Sequence, residues 1–155
     1  SEHEHKRKVG LVWAGSKTHR NDHNRSIDLN QLKLLLPRED CEFYSLQVGR
    51  GSSENDQILG EFGVSDLSSQ LTDFSMTASA ILQLDLIITV DTAVAHLAGA
   101  LGKEVWTLIP FIPDWRWLME RSDSPWYSSM QLFRQPARGD WESVLIEVAQ
   151  SLDKL

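Results

Sequence analysis

Short apolar runs alternate with amphipathic ones along the chain, and that alternation predicts its elements in order. Residues 9–13 read as a first strand, 42–46 as a second, 64–67 as a short third, 86–90 as a fourth, 105–109 as a fifth and 130–133 as a sixth. Helical periodicity fills the gaps, with one helix near 27–36 closed by Pro37 and another over 57–62 ended by Gly63. Ser75 or Thr77 is positioned to cap a helix running to Leu84. The 86–90 run, Leu-Ile-Ile-Thr-Val, has no polar alternation, as expected of a central strand covered on both faces. It turns at Asp91 into a helix that places Val94, Leu97, Ala98 and Leu101 on one face and Gly102 as its stop signal. Asp140 is set to cap a closing helix whose inward residues are Val144, Leu145, Val148 and Leu152.

Strands and helices alternating at this spacing imply an α/β, Rossmann-like three-layer domain with a parallel sheet and right-handed crossovers. In such sheets ligands sit outside the carboxyl ends of the strands. The 155 residues suffice for one domain, expected over 9–155 behind a flexible leader at 1–8. A formal net charge of −7, with no Lys/Arg stripe to offset it, argues against nucleic acid as a partner. No apolar run approaches the roughly 20 residues that span a bilayer, and the leader lacks the apolar core of a signal peptide. Cys41 is the single cysteine, reads as a half-buried strand residue, and fits a reducing, cytoplasmic compartment. Glu2-His3-Glu4-His5 alternates metal-ligand types, but a charged chain end reads as solvated leader, and no metal is expected.

The first loop nearly spells a phosphate-binding P-loop, Gly10 to Thr18, and fails on inspection. Ser16 separates Gly15 from Lys17, Gly10 lies in the strand itself, and polar Asn21-Asp22-His23-Asn24 stands where a helix would begin. A Gly-x-Gly-x-x-Gly fingerprint is also absent, which argues against a dinucleotide-dependent oxidoreductase or epimerase. What remains is a small turn, Ala14-Gly15-Ser16, followed by Lys17, His19, Arg20, His23 and Arg25, a local anion-attracting patch or else a solvated loop. At Asp91-Thr92-Ala93 a strand meets a helix N-terminus, whose unpaired N–H groups and dipole favour a diphosphate. If Asp91 is the cap, its carboxylate occupies those donors; if Thr92 is, Asp91 is released to meet a hydroxyl. His96, four residues past Thr92, leans back toward that end, either to bond a phosphate or sugar hydroxyl or as a packed structural residue.

A resemblance rests on 9–16 (Val-Gly-Leu-Val-Trp-Ala-Gly-Ser), Arg25-Ser26-Ile27, 45–49 (Ser-Leu-Gln-Val-Gly), Asp73-Phe74 and 91–102 (Asp-Thr-Ala-Val-Ala-His-Leu-Ala-Gly-Ala-Leu-Gly). Over most of its length the chain resembles the C-terminal, donor-binding half of the ADP-heptose:lipopolysaccharide heptosyltransferase family. Asp114-Trp115-Arg116-Trp117, Ser124-Pro125-Trp126-Tyr127 and Leu132-Phe133-Arg134-Gln135 are similar to the glycosyltransferase-like branch joined to tetratricopeptide repeats. The resemblance implies a two-domain GT-B enzyme whose C-terminal half holds a nucleotide sugar. Carried over, Gly15, Ser16, Lys17 and Arg25 meet phosphate, while Gln47, Val48, Gly49 and Phe74 lie by the nucleoside. Asp91, Thr92, Ala93 and His96 match the diphosphate and sugar motif. Trp115 and Arg116 cover the base or sugar, or form a packed aromatic satellite. Two departures stand out: Ala93 where the family has Gly, and Glu104 where it has Pro.

The expected function is therefore nucleotide-sugar binding within an inverting, metal-independent GT-B glycosyltransferase, with hexosyl or heptosyl transfer requiring an N-terminal acceptor domain that carries the general base. The donor is a substrate, and no cofactor is expected. Partners would be the nucleotide sugar and an acceptor domain or tetratricopeptide-repeat region. The rival expectation is a non-catalytic interaction or scaffold module that keeps the same fold.

Overall fold

A computed structural model describes residues 7–13, 27, 29–35, 40–47, 53–67, 71, 73–90, 93–109, 130–137 and 139–154. Among these residues six strands form one parallel sheet: β1 (Arg7–Val12), β2 (Cys41–Ser45), β3 (Ser65–Asp66), β4 (Leu86–Val90), β5 (Val105–Ile109) and β6 (Met130–Arg134). Their order is β3-β2-β1-β4-β5-β6, the doubly wound order, and the domain is Rossmann-like as its alternation predicted. The helices are α1 (Ser53–Glu61), α2 (Phe74–Leu82), α3 (Ala93–Ala100) and α4 (Trp141–Asp153), with a 3-10 helix at Leu29–Leu34. Among the described residues no helix is long and apolar enough to cross a membrane.

Two apolar layers sandwich the sheet. One gathers Val9, Leu11, Phe43, Leu86, Ile88, Val90, Trp106 and Leu108 with α1, the 3-10 helix and α4. The other gathers Val12, Leu46, Ile87, Val105, Ile109 and Leu132 with α2 and α3. Alternate residues of β4 and β5 enter opposite layers, and all ten are buried, because a central parallel strand is covered twice. Thr89 and Thr107, partners in register, are fully buried polar members of these strands. Gly10 faces the α2–α3 side, where a Cβ would stand 2.8 Å from Leu84 Cδ1 and 2.9 Å from Leu46 Cδ1, so those side-chain ends would have to shift to admit one.

Several local expectations are corrected. Within the expected helix at 27–36, Leu29–Leu34 form a short 3-10 helix, and the helix expected over 57–62 begins at Ser53. Neither Ser75 nor Thr77 caps α2. Asp73 does, its carboxylate accepting the Met76 N–H at 2.8 Å while its backbone stays extended. The inward face of α3 is Ala95, Ala98 and Gly99, with Val94 and Leu97 partly buried and Leu101 exposed, a rotation from the face expected. Cys41 is buried, not half-buried.

The Gly102 stop and the Asp140 cap hold as expected, while Pro37 lies outside the described residues. Gly102, at φ 75°, sits past α3 in a Schellman motif, with Lys103 N–H donating to Ala98 C=O at 3.0 Å and Gly102 N–H to Gly99 C=O at 3.0 Å. Asp140 caps α4 by accepting the Ser143 N–H at 3.0 Å and its hydroxyl at 2.7 Å. Glu104 is exposed and its carboxylate accepts the Trp106 indole N–H at 3.2 Å.

Candidate functional site

The order of the sheet reverses at β1. From there the chain builds outward to β2 and β3 on one side and to β4, β5 and β6 on the other. In sheets of this order ligands bind where neighbouring strands send their connections to opposite faces, which here falls at the carboxyl ends of β1 and β4. These strands are hydrogen-bonded neighbours, with Val12 in register with Thr89, so their ends lie about 5 Å apart. The 14–26 segment leaves the first end and the 91–92 segment the second. The two sequence motifs with anion-binding character thus depart from adjacent strands.

The base of the first segment is tightly made. Trp13, the first residue past β1, accepts the Ile27 N–H on its carbonyl at 2.6 Å and donates its own N–H to Gln47 Oε1 at 3.0 Å. Gln47 lies just past β2, where its N–H donates to Ser45 Oγ at 3.2 Å. All four side chains are buried. Gly15, Ser16, Lys17 and Arg25 lie within the segment and outside the described residues, as do Val48 and Gly49.

At the second strand end, two residues separate Val90 from the first residue of α3, Ala93. A link that short holds the first turn of α3, whose N–H groups have no acceptor within the helix itself, beside the carboxyl end of β4. Asp91 and Thr92 lie outside the described residues, so both capping alternatives stand as stated. His96 belongs to that first turn, half-buried, with Nε2 enclosed by protein. Phe74 opens α2, which also begins at the carboxyl end of the sheet, because its chain arrives from the end of β3 and returns to start β4. Gln47, Phe74, Ala93 and His96 are therefore brought to one end of the sheet.

Arg134 is a cation at this end that the sequence reading left unassigned. It closes β6 in register with Ile109, and the next residue, Gln135, donates its N–H to the Ile109 carbonyl at 2.9 Å. Partial burial pulls its guanidinium below the usual arginine range. The signal available in the sequence was a charge ending an apolar run at a strand's carboxyl end. Trp115 and Arg116 fall in the 110–129 segment between β5 and β6, outside the described residues.

Away from these strand ends, a groove of about 210 Å³ between α2 and the sheet is lined by Lys8, Tyr44, Leu67, Leu71, Met76 and Gln83 and takes in none of the expected site residues. The Tyr44 hydroxyl donates to Glu42 at 3.0 Å, and that bond with the nearby carboxylate raises the phenol above its ordinary pKa. Among the described residues no three His, Cys, Asp or Glu side chains converge as metal ligands.

No family model matches the chain. Protein FlbA of Caulobacter vibrioides is 28% identical to it over 152 residues, a stretch covering 94% of this chain and 25% of that protein. Two solved structures of the E. coli heptosyltransferase WaaC share the fold at 14% identity. The one with ADP-2-deoxy-2-fluoro heptose superposes with a TM-score of 0.64 and the one with ADP with 0.66. Each covers 96% of this chain, which spans 43% and 44% of those chains respectively. The chain thus shares the fold of those WaaC structures while spanning less than half of their length and a quarter of FlbA.

Proposed function

We propose that the domain is the nucleotide-sugar donor-binding half of an inverting, metal-independent GT-B glycosyltransferase. The observation that carries this reading is the departure of the basic 14–26 segment and the α3 N-terminus from adjacent ends of β1 and β4. A diphosphate between them meets backbone N–H groups and a helix dipole on one side and the Arg25 guanidinium on the other. His96, in the first turn, bonds a phosphate oxygen or a sugar hydroxyl.

In this mechanism an acceptor hydroxyl attacks the anomeric carbon from the face opposite the diphosphate. The new carbon–oxygen bond forms as the bond to the phosphate oxygen breaks, which inverts the centre. The hydroxyl proton goes to a general base on an acceptor domain, and the electron pair leaves with the nucleoside diphosphate. Arg25 and the helix end stabilise the charge that develops there, with no covalent intermediate. A heptosyltransferase solved with ADP and with an ADP-heptose analogue shares this fold, which supports a nucleoside diphosphate sugar as ligand class.

Calorimetry with ADP, UDP and GDP and their sugars tests the reading. Binding is expected to at least one, weakened about ten- to hundredfold by Arg25→Ala, since a hydrogen bond to a charged group is lost. His96→Ala is expected to act in the same direction. A folded chain that binds none of them refutes the proposal and leaves the interaction-module reading in its place.

A further inference from the structure

We propose that Gln47 is a positioning residue: acting through Trp13, its carboxamide holds together the Trp13–Ile27 junction that the basic 14–26 segment leaves and rejoins, instead of reading the nucleoside. The inference rests on the donor-binding reading above for its ligand, a diphosphate.

Trp13 and Ile27 bracket the segment and are hydrogen-bonded to each other at 2.6 Å, so 14–26 begins and ends at a single junction. The remaining donor of that junction, the Trp13 N–H, reaches no strand partner in β2. It goes instead to Gln47 Oε1 at 3.0 Å, across 34 residues of sequence. A backbone donor decides which end of the carboxamide is oxygen, and this oxygen is committed to Trp13. Gln47 is itself pinned, because its N–H donates to Ser45 Oγ at 3.2 Å at the end of β2. Trp13 and Ile27 are 5% and 3% exposed, so no solvent is at hand to replace the carboxamide. A side chain without an acceptor at 47 leaves a buried N–H unmatched at the junction, and the junction opens more often.

The test uses the whole 155-residue chain as wild type, Gln47→Met and Gln47→Glu. Met keeps the length without a strong acceptor, whereas Glu keeps the oxygen. Gln47→Asn, too short to reach, replaces Gln47→Met if the latter does not fold. Hydrogen exchange of the Ile27 amide, read by NMR, is expected to quicken about tenfold in Gln47→Met and to stay near wild type in Gln47→Glu. Calorimetry with ADP, UDP, GDP and inorganic pyrophosphate is expected to show all four weakened by one common factor in Gln47→Met. Unchanged Ile27 exchange overturns the inference. So does a changed ranking among the three bases with pyrophosphate binding untouched, the pattern of a nucleoside contact. A wild-type chain that binds none of the four ligands refutes the donor reading alone, and Ile27 exchange then decides the anchoring role of Gln47.

Discussion

Helices α3 and α4 cover the same sheet from opposite sides with different side chains. The inward face of α4 is Trp141, Val144, Leu145, Val148 and Leu152, a thick apolar layer. That of α3 is Ala95, Ala98 and Gly99, with longer Val94 and Leu97 only partly buried. Large side chains remove much apolar area from water and hold the helix at a distance. Small ones bury little area and let the helix axis approach the strands. The difference separates stability from placement: α4 contributes core, while α3 is seated close to β4 and β5, where its first turn meets the strand end.

Substitutions in the two helices sharpen that contrast. The largest loss is expected from Leu145→Ala, which opens a cavity under α4 and costs about 2–5 kcal/mol in denaturant unfolding, while nucleotide binding by the folded fraction stays unchanged. Ala98→Leu reverses the pattern. Overpacking beneath α3 costs about 1–3 kcal/mol and pushes the helix off β4, so calorimetry should show nucleotide binding lost along with stability. Equal binding losses from both would show that placement is not particular to α3. Gly102→Ala, forced to φ 75°, is expected to cost about 1 kcal/mol by fraying the end of α3 farthest from the site, with binding intact.

The smallest effect is a pH dependence at the N-terminus of α4. Hydrogen bonds from the Ser143 N–H and hydroxyl hold the Asp140 carboxyl below the usual carboxylate range. A carboxyl whose pKa is depressed on folding contributes stability above its unfolded value and loses it as pH falls through the folded one. Asp140→Asn keeps a cap that does not titrate. Melting curves of the two proteins should therefore differ most near neutral pH and converge in acid. A constant gap would place the pH dependence elsewhere.

Much of this architecture was legible because its signals are local. The runs 86–90 and 105–109 coincide with β4 and β5, each being an apolar stretch bounded by charge or proline. Gly102 and Asp140 act as expected because left-handed backbone and N-terminal N–H groups demand particular residue types. The cap of α2 was not legible: Asp73, Ser75 and Thr77 are all capping types within five residues, and backbone geometry selected the first. The buried face of α3 was misjudged for a related reason. Hydrophobicity ranks Leu97 and Leu101 above Ala95 and Gly99, whereas close approach to the sheet favours the smaller residues.

Arg134 and Gln47 mark the limit at the site. The first acquires its interest from ending β6 in register with Ile109, and the second from a hydrogen bond that spans 34 residues of sequence. By itself the sequence determined that strands and helices alternate, where most of them stop, and which two segments hold the residue types of an anion site. Only the tertiary structure decided that β1 and β4 are neighbours, and so that the 14–26 segment and the link to α3 leave adjacent strand ends. The physical reason is that an unbroken apolar run specifies burial on both faces of a strand but not which strand pairs at its edge. That choice is made by how the crossovers pack on the two sides of the sheet.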